Sequence, residues 1–210
     1  MLLTNCNNFR TYRTVSVAAT QVISGIPPIH LLIEERRNMF EGTAGYENSR
    51  EARIRTISKL QEEWSTQVET AQWTKRLIPD LRVWLDCPHR DKSNFRCNPQ
   101  PTNMVNYYFT QALTGRSFKK FTCRIGKTED DLCERYEEVD NALHALFECS
   151  RWRERRRAAE AEMGNIFSTN SLIRTMCENR TKWDIGFAYI SNVMKVKEEE
   201  ERRDQTPGEE

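Results

Sequence analysis

The chain has 210 residues, enough for one or two domains with a real core, so its length by itself demands no stabilising metal. Its 32 basic side chains stand against 31 acidic ones, a net charge of +1 that excludes any global attraction to nucleic acid or a membrane surface and leaves only local patches for such binding. With 30% charged and 38% apolar residues, the composition favours long charged helices and some disordered ends over a compact enzyme core.

Ser16 can cap a short helix, VAATQVISG, which Gly25 closes. Pro27 and Pro28 restart the chain, and Pro28 suits the first turn of a second helix, PIHLLIEERRNMFEG. Ser49 opens a longer third helix on which Ile57, Leu60, Trp64 and Val68 recur as one apolar stripe. In QWTKRLIPDLRVWLD the break at Pro79 predicts two short helical pieces meeting at the proline. Residues 87–103 are polar and contain Pro88, Pro99 and Pro101, the mark of an irregular loop or insertion. NMVNYYFTQALTG predicts a helix with Val105, Tyr108, Phe109 and Ala112 on one face and Gly115 as its stop. SFKKFTCRIG follows as an extended or short helical piece. Downstream, NALHALFECSRWRERRRAAEAEM reads as one helix, with SLIRTM and WDIGFAYISNVMKVKEEEERR as two more. From about Glu198 the charge-rich end is expected to fray into solvent as a disordered tail.

The expected fold class is therefore mostly α. A helical region spans residues 1–86, the loop 87–103, a helix with a small metal-site-like segment 104–163, C-terminal helices 164–197, and the tail 198–210.

Seven cysteines, at 6, 87, 97, 123, 133, 149 and 177, form no regular framework, and residues 1–10 lack the apolar run of a secretory leader. A reducing intracellular compartment, nuclear or cytoplasmic, is the expectation, and there clustered cysteines mean metal or reactivity more often than disulfides. No apolar run reaches the ~18 to 20 residues that span a bilayer, so no membrane partner is expected.

Among short motifs, Gly126-Lys127-Thr128 has the end of a phosphate-binding loop, but Phe121 stands where that loop needs its first glycine, so the backbone cradle is absent. His30 and His89 have no serine, cysteine or acid at a spacing that suggests a triad, and Asp130-Asp131 reads as a solvated turn.

The strongest chemical signal is CERYEEVDNALHALFEC, residues 133–149. Zinc prefers four tetrahedral ligands drawn from thiolate and imidazole. Cys133 would be the turn ligand, while His144 and Cys149, five apart on or entering a helix, would share the ion. Tyr136 occupies the place of a second cysteine and is a poor ligand, because a phenol ionises only near pH ~10. The fourth position is left to Cys123 folding back, to a carboxylate such as Glu137 or Asp140, or to water. The opposing reading is that these are buried thiols and a helical polar residue. Immediately after it, Arg151, Arg153, Arg155, Arg156 and Arg157 suit phosphate contacts or a solvated charged face, and Trp152 among them is expected to pack on the core.

Taken in order, TYRTVSVAATQVISGIPPIHLLIEERR, WTKRLIPDLRVWLD, NYYFTQALTG and CERYEEVDNALHALFECSRW resemble the C-terminal region of insect-type non-LTR retrotransposon reverse transcriptases, over residues 11–152. The resemblance implies a segment following the polymerase thumb, ending in a Cys-Cys-His-Cys zinc knuckle that engages nucleic acid. Cys133, His144 and Cys149 match three of its ligands, and Tyr136 departs from the fourth. It implies RNA, single-stranded DNA or target DNA as partners, together with a polymerase core. The chain itself contains no aromatic-x-Asp-Asp polymerase motif and no endonuclease domain, so it is expected to be non-catalytic. The alternative expectation is a helical interaction module, or a transposon remnant without nucleic-acid activity.

Overall fold

The structure, a computed structural model, describes residues 15–40, 49–66, 71–88, 103–133 and 136–204. Val68, His89, most of the expected insertion and the end of the tail lie outside the described residues.

The architecture is mostly α. Helix α1 (Val17–Ser24) starts where the Ser16 hydroxyl accepts the Ala19 N–H at 3.2 Å, and it ends at Gly25 in the left-handed conformation (φ 71°). Helix α2 (Ile29–Phe40) packs on α3 (Ser49–Thr66). The buried stripe of α3 is Ala52, Thr56, Leu60 and Trp64; Ile57, expected on that stripe, is only half-buried. Thr56 can take the inner place because its hydroxyl donates back to the Ala52 carbonyl at 3.1 Å, which satisfies the one polar atom of its side chain. Pro79 separates α4 (Gln72–Leu77) from α5 (Leu81–Asp86), and the Asp80 side chain caps the second piece.

Helix α6 (Asn103–Thr114) buries Tyr108, Phe109, Ala112 and Leu113, while the side chain of Val105 lies outside those described. After Gly115, SFKKFTCRIG forms the short helix α7 (Lys119–Arg124). A small antiparallel hairpin follows, β1 (Leu132–Cys133) and β2 (Tyr136–Val139). Beyond it the expected single helix is broken. A π turn (His144–Glu148) and a 3-10 turn (Ser150–Trp152) precede α8 (Arg153–Met163). Helix α9 (Leu172–Met176) and the long α10 (Arg180–Asp204) complete the fold.

Helix α10 lies against α6, α8 and α9 and is the spine of the molecule. One buried cluster runs from Val22 to Met194, so the successive segments read from the sequence share a core. Aromatic side chains with a polar edge tie distant elements together: the indole N–H groups of Trp64, Trp73 and Trp84 donate to the carbonyls of Ile78, Ala112 and Val22 at 2.9, 2.8 and 2.8 Å. Trp64 and Trp84 bury a large apolar body and Trp73 half of one, while the one polar atom of each is satisfied. The charged end departs from expectation, because α10 stays helical through residues 198–204. Glu198 pairs with Arg202 one turn on, and Glu200 is held by Arg151 from across the fold. Among the described residues no single helix is long and apolar enough to cross a membrane.

Candidate metal centre

The hairpin and the π turn bring Cys133, His144 and Cys149 together. One donor atom from each lies within 4.8 Å of the other two, a group that could hold a metal ion. Cys133 comes from β1, paired with Tyr136 across the turn. Asn141 caps the next element, its Oδ1 accepting the backbone N–H groups of Leu143 and His144 at 2.9 and 3.0 Å.

The π turn then sets the spacing. In an α-helix, at 3.6 residues per turn, side chains five apart stand about 140° from each other around the axis. Here the Cys149 N–H donates to the His144 carbonyl at 2.7 Å, an i to i+5 closure that winds the two side chains back onto one side. The single α-helix expected over this stretch would have separated them.

His144 is buried at 3% exposure, and neither ring nitrogen has a hydrogen-bond partner among the described residues. Its Nδ1 does lie 2.7 Å from Glu138 Oε2, but the contact lacks hydrogen-bond geometry. An imidazole buried beside two sulfurs with both nitrogens unsatisfied is costly unless something accepts its lone pair, which fits a metal-ligating role. Burial raises the pKa of the Cys149 thiol, the backbone N–H of Arg151 opposes that rise, and the neighbouring Cys133 sulfur adds to it.

The residues considered for the fourth position are arranged differently from expectation. Cys123 lies outside the group and approaches the Glu129 carbonyl at 3.9 Å. Asp140, 1% exposed, is committed elsewhere: its Oδ2 accepts the Lys119 N–H at 3.0 Å and the Lys197 ammonium at 2.7 Å. Glu137 and Tyr136 are exposed. The acid that reaches His144 is Glu138, itself exposed and outside the three-donor group, which sequence reasoning missed. The hairpin register jumps from Cys133↔Tyr136 to Leu132↔Val139, leaving Glu137 and Glu138 as a bulge, the kind of irregularity that re-aims a side chain. No sequence signal marks it.

The arginine run does not form one basic face. Arg151 makes a bidentate pair with Glu200, with Nη1 2.6 Å from Oε2. Arg155 bonds Asn192, and Arg156 donates to the Cys149 carbonyl at 3.2 Å, bracing the metal-site loop. Arg153 and Arg157 are exposed. Trp152 is buried, as expected, with the Arg151 and Arg155 guanidiniums 4.3 and 5.6 Å from its ring.

The class defined at this point is a mostly α protein with a hairpin-plus-π-turn Cys-His-Cys centre. No family model, no curated protein and no solved structure matches the chain.

Proposed function

We propose that this chain is a non-catalytic helical module of retrotransposon reverse-transcriptase type. In this reading a zinc ion fixes its fold locally, and its role is to hold RNA or single-stranded or target DNA near a polymerase core. The observation that carries it is the convergence of Cys133, His144 and Cys149 from a hairpin and a π turn, with both imidazole nitrogens free of hydrogen bonds. Glu138, its Oε2 2.7 Å from the imidazole Nδ1, fixes the orientation of the His144 ring, and water completes the position where Tyr136 stands in for a cysteine. The apolar side chains of Ile29, Ile33 and Phe40 on α2 are exposed and suit contact with the polymerase core.

Zinc is expected to bind the purified chain at one equivalent, measured by metal analysis after dialysis. His144→Ala or Cys149→Ala abolishes binding, and Glu138→Ala weakens it about 10–100-fold. Zinc content unchanged in the His144 and Cys149 variants would sink the assignment.

A second reading, a helical protein-interaction module without nucleic-acid activity, is favoured by one observation. Arg151, Arg155 and Arg156 spend their hydrogen bonds within the chain. Binding to RNA that weakens as salt rises separates the two readings.

A further inference from the structure

A cleft of about 480 Å³ lies between α1, α4 and the turn that joins α6 to α7, apart from the arginine run. Its volume falls in the range of small-ligand sites. The local chain builds it in two steps. Gly115 ends α6 in the left-handed conformation (φ 67°), and a Cβ at that position would come 2.8 Å from Trp73 Cδ1, so the indole packs directly on the turn. The Trp73 N–H then donates to the Ala112 carbonyl and the Thr74 hydroxyl to Leu113 at 3.0 Å, latching α4 to the end of α6. Half-buried Trp73 is thereby fixed as one wall.

The charged part of the lining is cationic. Arg116 and Arg124 both lie against the Phe121 ring, 4.6 and 5.1 Å from its centroid. Lys120 joins them, and Asp131 is the one acid among the lining residues. Neither guanidinium has an ion pair with a carboxylate among the described residues. Burial lowers the pKa of Arg116, and the charge of Arg124 lowers it further. Two like charges held around one ring repel unless an anion sits between them. Guanidinium forks match phosphate oxygens, and a fixed indole face accepts a stacked base.

We propose that this cleft binds single-stranded nucleic acid, with one backbone phosphate held by each of Arg116 and Arg124 and a base against Trp73. The assignment rests on the nucleic-acid reading above and places the contact away from residues 151–157.

The test is fluorescence anisotropy of a labelled oligouridylate with the full chain at rising salt. Each phosphate contact on a single strand adds about 0.7 to the slope of log affinity against log salt. Arg116→Gln/Arg124→Gln should therefore lower the slope by about 1.4. Between 50 and 200 mM salt, the wild type's affinity loss should exceed the variant's by about sevenfold. Should the double variant melt early, exposed Arg124→Gln alone should lower the slope by about 0.7. An unchanged slope in folded variants overturns the site while leaving the nucleic-acid reading standing. No binding by the wild type at low salt overturns both, and capture of polyglutamate in its place identifies the cleft as a protein-docking site. Uridine monophosphate binding as tightly as the oligomer would overturn the strand assignment in favour of a nucleotide pocket.

Discussion

Asp140→Ala is expected to destabilise the chain by about 3 kcal/mol, through the link between the metal-site hairpin and the spine of the fold. Asp140 follows β2, its backbone N–H donates to the Asp131 carbonyl at 2.7 Å, and its Oδ2 joins the start of α7 to Lys197 on α10. The carboxylate is 1% exposed and the Lys197 side chain 14%. Truncation leaves a buried ammonium and a helix-start N–H without an acceptor, a loss of about 3–5 kcal/mol when one member of a buried pair is removed. Asp140 Oδ1 has no partner, and deleting it returns part of that cost, so the lower end applies. For a chain of this size the melting temperature, followed by circular dichroism, should fall about 6–12 °C. Asp140→Leu/Lys197→Met should recover most of the loss, because replacing both partners with apolar groups removes the unpaired charge. A single variant that melts within about 2 °C of wild type would refute the idea that this pair anchors the hairpin.

Gly186→Ala on α10 tests the closeness of α9. The new Cβ would stand 2.5 Å from Met176 Cγ and 2.7 Å from its Sδ, and Met176 is fully buried. Overpacking of about 1–3 kcal/mol should cancel or exceed the ~1 kcal/mol that alanine gains in helix propensity, so a rise in urea midpoint by the full propensity gain would contradict the packing. Arg151→Gln tests the tie that keeps the charged end helical. The hydrogen bonds from Arg151 hold the Glu200 carboxyl below the usual glutamate range, partly opposed by burial. A depressed carboxylate contributes stability that is present above its unfolded value, near pH ~4.3, and is lost as pH falls through the folded value. Wild-type stability should therefore fall more steeply with acidification in that window than the variant's. Parallel curves would remove the pair from the stability account.

Much of the helical frame was legible in the chain because local chemistry sets it. Ser16 and Gly25 bracket α1, Pro79 divides α4 from α5, and Gly115 stops α6; each is a backbone constraint a residue carries with it wherever it is placed. The donor types of Cys133, His144 and Cys149 were equally visible, since thiolate and imidazole in order are chemical facts of the sequence.

The backbone geometry by which they meet was not. Helical periodicity across residues 141–163 predicts one continuous helix, in which His144 and Cys149 diverge; the i to i+5 closure that joins them follows from packing, with the Leu146 carbonyl taken by Tyr189 of α10 at 2.7 Å. Glu138 and the bulge that aims it, Arg151 turned from solvent to Glu200, and the shared ring beneath Arg116 and Arg124 are likewise long-range outcomes. The sequence by itself determined which atoms could bind a metal and where helices start and stop, because those depend on single residues and their nearest neighbours. Tertiary structure alone decided which donors and charges face one another, because burial against α10 selects among backbone geometries that local propensity leaves nearly equal in energy.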